Sequence, residues 1–121
     1  MKAIYSFKKL VKGHKPLDET LFKVAAISVN SVSKFYDTVL YTDKYGSEIF
    51  KSKNIHFDKI IIDDDIEKYD GELECMPKIL TMVKQNEPYI HMDFTVIIFE
   101  KIWSPHTLTY SYWDLNLSNN S

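Results

Sequence analysis

Asp93 is the residue of this chain best placed to do chemistry. It lies in the stretch Glu87-Pro88-Tyr89-Ile90-His91-Met92-Asp93-Phe94-Thr95-Val96-Ile97-Ile98-Phe99, between the apolar runs Tyr89–Met92 and Val96–Phe99. Pro88 opens the first run, and proline is tolerated at the first residue of a strand. The second run is nearly continuous in Val, Ile and Phe, the pattern of a strand covered on both faces. An acid where a buried strand ends stands, in an open α/β sheet, at the rim where ligands bind. The plainer reading is a strand-end cap or turn, which Asp favours through bonds to its own backbone. Alternation puts His91 on the face of Tyr89 and Asp93, where it could support Asp93 by a hydrogen bond or sit as a satisfied, partly buried histidine.

Other groups are weaker candidates. Asp63-Asp64-Asp65 is a carboxylate cluster of the kind that binds hard cations, but successive side chains cannot all converge, and a solvated strand end is the simpler expectation. Lys8, Lys9, Lys12 and Lys15 could meet phosphate as point charges or serve solubility. Ser6 has no Gly-x-Ser-x-Gly elbow around it, so it is not expected to be a hydrolase nucleophile. Cys75 has no nearby His pattern and is expected to pack as a small apolar residue. His14, His56 and His106 are scattered without metal-ligand spacing.

Composition narrows the function classes. The chain has 121 residues, 45% hydrophobic and 14% aromatic, with net charge -2, which fits one globular domain. All 15 basic residues are Lys, so the planar fork suited to bidentate base and phosphate recognition is missing, and no nucleic-acid partner is expected. A single cysteine allows no internal disulfide and no Cys-based metal cluster. No apolar run is long enough to span a membrane and no leader pattern is present; a cytoplasmic protein is expected.

The elements that would position these residues alternate. Lys2–Phe7 reads as a strand, followed by a loop over 8–16. Asp18 and Glu19 open a helix, by capping and dipole chemistry, whose Leu21, Ala25, Ser28, Val29, Val32 and Phe35–Tyr36 recur at helical spacing. Strands follow at Asp37–Asp43 and His56–Ile62, with a short helix at Ser47–Lys51 between them. A helix from about Glu74 to Gln85 presents Met76, Ile79, Leu80 and Val83 as its apolar side, with Pro77 in its first turn. This order predicts an α/β, mostly parallel sheet with helices on both faces, a three-layer sandwich. Beyond Lys101, Trp103, Tyr110, Tyr112 and Trp113 lie among Ser, Thr and Asn, and Thr107–Tyr112 could add an edge strand. The expected organisation is a domain over 1–102 and an aromatic extension over 103–121, frayed at its end.

Two segments together, Thr38-Val39-Leu40-Tyr41-Thr42-Asp43-Lys44-Tyr45-Gly46 and Glu87-Pro88-Tyr89-Ile90-His91-Met92-Asp93, with Met1–Phe7 and the helix bearing Lys78, resemble a bacterial group of GT-A-fold glycosyltransferase-like proteins. That group has a Pro-aromatic-Ile-His-Ile-Asp-x-Asp signature. The resemblance implies a nucleotide-sugar-binding half-domain over about the first hundred residues. It implies that Ser6, Asp43, Lys78 and Asp93 line the nucleotide site, with His91 in support. In such enzymes the two acids hold Mn²⁺ or Mg²⁺ against the diphosphate, since hard cations take oxygen ligands and neutralise the leaving group.

The chain departs from that pattern twice. Thr95 stands where the second acid belongs, so any metal held by Asp93 and Thr95 should bind weakly. Only 28 residues follow Asp93, where the resembled enzymes place their acceptor-binding half. These departures lead to the expectation of a shortened relative with reduced or no transferase activity. The alternative is a non-catalytic binding or inhibitor module that keeps the fold. Its aromatic segment 103–113 would meet a protein partner or a second copy, or cover apolar surface.

Overall fold

In the computed structural model, which describes residues 1–9, 19–73 and 75–95, four strands form one all-parallel sheet. The elements are β1 (Lys2–Ser6), α1 (Glu19–Ser33), β2 (Asp37–Thr42), α2 (Lys44–Ser52), β3 (Lys59–Ile62), α3 (Asp64–Lys68), α4 (Met76–Met82) and β4 (Tyr89–His91). The spatial order is β3-β2-β1-β4. The chain therefore steps outward from β1 to β2 to β3, then returns past its starting point to lay β4 on the other side of β1. Ile4 is in register with Val39 on one side and His91 on the other. The expected α/β class and parallel sheet are present. The second run of the Asp93 stretch, Val96–Phe99, the segment Thr107–Tyr112, the 102/103 boundary, Asp18 and Glu74 lie outside the described residues.

The core forms on one face of the sheet because alternate strand residues are large and apolar. Ala3, Tyr5 and Phe7 from the first strand and the chain beyond it, Leu40 from β2, and Ile90 and Met92 from the last strand meet Phe22, Ala25, Val29 and Val32 of α1 and Phe50 of α2. Phe50 is fully buried, and burying such a side chain stabilises by about 2–3 kcal/mol. It packs edge-on to Phe7, Phe22 and Phe57 and stacks on Phe94 with ring centroids 5.2 Å apart. Ser28, a small polar residue of α1, is buried because the Tyr5 hydroxyl reaches its Oγ at 2.9 Å. Burial pushes the Tyr5 phenol well above its usual pKa.

Two local differences from the sequence reading have clear causes. The acidic run is not merely a solvated strand end. Asp63 is buried and caps α3, its Oδ1 accepting from the N–H groups of Asp65 and Ile66 at 2.9 and 3.1 Å. Asp64, Asp65 and Glu67 then occupy the first turn of α3, where carboxylates suit the positive end of the helix dipole. The apolar stripe expected for α4 faces inward only in part, with Met76 and Leu80 half-buried. Pro77 and Thr81 are buried, while Ile79 and Val83 are exposed at 44% and 72%. Thr81 can go inside because its hydroxyl donates to the Pro77 carbonyl at 2.8 Å, so burial leaves that hydroxyl paired.

Candidate functional site

The carboxyl ends of the strands carry nearly all the candidate residues, and the sheet order sorts them into two groups. β2 and β3 end in Asp43 and Asp63. β1 and β4 end in Ser6 and in His91-Met92-Asp93. The point where the chain reverses its direction across the sheet lies between β1 and β4. In open α/β sheets, ligands bind in the crevice outside the carboxyl ends of strands at such a switch point.

Asp43 belongs to the structural group. Its side chain is the N-cap of α2, with Oδ1 accepting from Gly46 N–H at 2.8 Å. Its Oδ2 lies 3.8 Å from the Lys8 ammonium. Lys8 is itself held by the carbonyls of Ile66 and Glu67 at the end of α3, at 2.5 and 2.8 Å. Gly46 is required by close approach. A Cβ there would lie 1.8 Å from Thr42 Oγ1 and 2.9 Å from Phe7. The spacing Asp43-Lys44-Tyr45-Gly46 therefore serves first to start a helix flush against the ends of β1 and β2. Asp43, only 6% exposed, has both oxygens engaged within the protein.

Asp63 is likewise engaged. Burial raises its pKa, but hydrogen bonds from Lys84 and from the N–H groups of Ile66 and Asp65 outweigh this and hold it below the ordinary carboxylate value. Lys84 pairs with Asp63 at 2.5 Å and with Asp65 at 2.7 Å, and these bonds raise its own pKa. The acidic cluster is thus a capped helix start, with Lys84 paired to two of its three carboxylates.

The group at the switch point differs. Ile90, Met92 and Phe94 turn to the core, where Phe94 stacks on Tyr5 at 5.0 Å. The Met92 N–H donates to the Ile4 carbonyl at 2.8 Å, extending the β1–β4 pairing one residue beyond the strand. Alternation then sends His91 and Asp93 to the opposite side, as expected. His91 does not support Asp93. Its Nε2 lies 3.4 Å from Ser6 Oγ, while its Nδ1 is buried without a hydrogen-bond partner among the described residues. Burial, and next the charge of Lys78, lower its pKa from 6.5 to about 4, so it is neutral at physiological pH. Asp93 instead faces Lys78 of α4, with Oδ1 3.7 Å from the ammonium and both side chains about a third exposed, 34% and 35%. Thr95 is exposed just beyond. Ser6, His91, Lys78 and Asp93 are thus brought together, and Asp43 lies two strands away from β4, about 10 Å at ordinary strand spacing.

Residues 16–110 match the model of a family described as a family of unknown function, DUF6734. The chain belongs to that family. The matched span takes in Asp43, Lys78, His91, Asp93 and Thr95 and leaves out β1 with Ser6. No curated protein and no solved structure matches the chain.

The divalent cation implied by the glycosyltransferase resemblance can be tested against the donors present. A hard cation asks for several anionic or carbonyl oxygens converging on one point. Asp93 is the one carboxylate of the expected Asp93–Thr95 pair, and it already faces an ammonium. Among the described residues, no three His, Cys, Asp or Glu side chains converge as a metal site. The described donor set does not fit a resident Mn²⁺ or Mg²⁺. Lys8 and Lys84 serve as structural ions that no sequence motif marks. The signal that could have found them is a lysine within reach of an acid that closes a strand. Among the described residues, no helix is long and apolar enough to cross a membrane.

Proposed function

We propose that this chain is a glycosyltransferase-like protein of the cytoplasm that binds a nucleotide sugar at the rim between β1 and β4, with reduced or no transferase activity. In this reading the sheet and its helices correspond to the three-layer, nucleotide-binding half of a GT-A fold. Lys78 and Ser6 meet the phosphates or ribose, Asp93 orients Lys78, and His91 presents a neutral ring behind Ser6. Asp43 contributes indirectly, by fixing the start of α2 beside the site. A bound Mn²⁺ or Mg²⁺ would find few donors here. The observation that carries the reading is the meeting of Ser6, Lys78, His91 and Asp93 at the topological switch point, where this class of sheet binds ligands. Calorimetry with UDP, GDP and their sugars, in buffer containing Mn²⁺, tests it. Saturable binding at or below millimolar concentration is expected. Heats indistinguishable from dilution for every donor would remove the proposal.

A second reading, a non-catalytic module acting through a protein partner or a second copy, is favoured by one observation. Asp43 and Asp93 both face lysines of the same chain. The aromatic segment 103–113 that would make the contact lies outside the described residues. Light scattering across a concentration series is the check: a mass that rises with concentration supports self-association, and a constant monomer mass argues against it.

A further inference from the structure

The mismatch between the expected metal and the donors at the switch point has a specific resolution. Asp93 does not stand as a bare carboxylate awaiting a cation. The ammonium of Lys78 is 3.7 Å from its Oδ1, longer than a hydrogen bond, so the pair is held by charge and, among the described residues, the three N–H donors of the lysine remain for another acceptor. Lys78 is a third exposed, and it projects from α4, which packs beside β1. Thr95, in the place of the second acid, is neutral. The neighbouring ring of His91 is buried and uncharged, and it feels the lysine's positive charge. Among the described residues, a dication placed against Asp93 would meet one carboxylate and the positive charge of Lys78, an unfavourable arrangement. A phosphate placed at the same rim would meet the lysine as a point-charge donor, a standard role for that side chain.

We propose that Lys78 takes the place of the divalent cation at this rim, so that a nucleoside diphosphate binds by direct contact with the lysine and without metal. Asp93 keeps the ammonium aimed along the edge between β1 and β4. This inference rests on the nucleotide-binding reading above and adds to it how the diphosphate charge is met.

Calorimetry on the full chain with UDP and with GDP, in EDTA and in Mn²⁺, separates the two. The dissociation constants in the two buffers are expected to agree within about twofold. Lys78→Met should weaken binding at least about tenfold in both buffers, whereas Lys78→Arg, which keeps the charge, should stay within about threefold. Circular dichroism and the urea midpoint of both variants should match those of the parent chain. Binding seen only with Mn²⁺ overturns the lysine proposal and leaves the site reading standing. Unchanged affinity in a folded Lys78→Met protein also overturns it. No binding of either nucleotide in either buffer removes both.

Discussion

Asp43 and Asp93 are the same residue type in nearly the same setting, one step past the paired end of a parallel strand, yet the protein uses them differently. Asp43 is followed by a helix whose third residue, Gly46, is pressed against Thr42 and Phe7, so its carboxylate is drawn down to cap that helix and is closed over by Lys8. Asp93 is followed by Phe94, which turns into the core and stacks on Tyr5 and Phe50. Among the described residues, that leaves the acid on the rim with one loosely held lysine. An acid at a strand end is thus a cap or a ligand-facing group according to where the next few residues go.

The comparison can be broken most severely at Gly46. Gly46→Ala forces a methyl into Thr42 Oγ1, and overpacking of this kind should cost about 3 kcal/mol or more, read as a fall in the urea midpoint. On the other side of the comparison the leading effect is one of pH. His91 has a folded-state pKa near 4 against an ordinary 6.5. Between those values the unfolded chain takes up a proton that the folded chain refuses, so stability falls as pH drops from about 7 to 4. The loss attributable to His91 should approach about 3 kcal/mol at the acid end. Denaturation of His91→Gln and the parent chain across that range should show the parent losing more. A gap that is flat with pH would mean the ring is not held neutral by burial.

Smaller effects sharpen the contrast between the two acids directly. Asp43→Ala removes a helix cap and leaves Lys8 without its carboxylate, and should cost about 2 kcal/mol in chemical denaturation. Asp93→Ala breaks only a partly exposed ion pair and should change stability by about 0.5 kcal/mol or less. If the two substitutions destabilise equally, the division of labour drawn between the strand ends is mistaken.

Much of the scaffold was legible in the chain itself. The strands at Lys2–Ser6 and Asp37–Thr42 and the long α1 follow from apolar runs and helical spacing, and their alternation requires a parallel sheet. The alternation of Ile90, Met92 and Phe94 with His91 and Asp93 was likewise readable. Shorter elements were less so. α3 was hidden in a run of acids, because carboxylates that cap and fill a first turn look the same in sequence as carboxylates in solvent. The inward side of α4 was legible only in part: Met76 and Leu80 are half-buried, but Thr81 satisfies its own hydroxyl within the helix and so can replace an apolar residue there.

Residue types and their spacing determined that this chain makes an α/β sheet whose strands end in polar groups. Only the tertiary structure decided which of those groups meet. Ser6 and His91 are separated by 85 residues and become neighbours because β4 crosses back to pair with β1. Asp93 and Lys78 meet through that same return. Strand order arises from packing over the whole domain, where no local pattern records it, and it sets one carboxylate inside a helix cap and leaves the other at the open edge of the sheet.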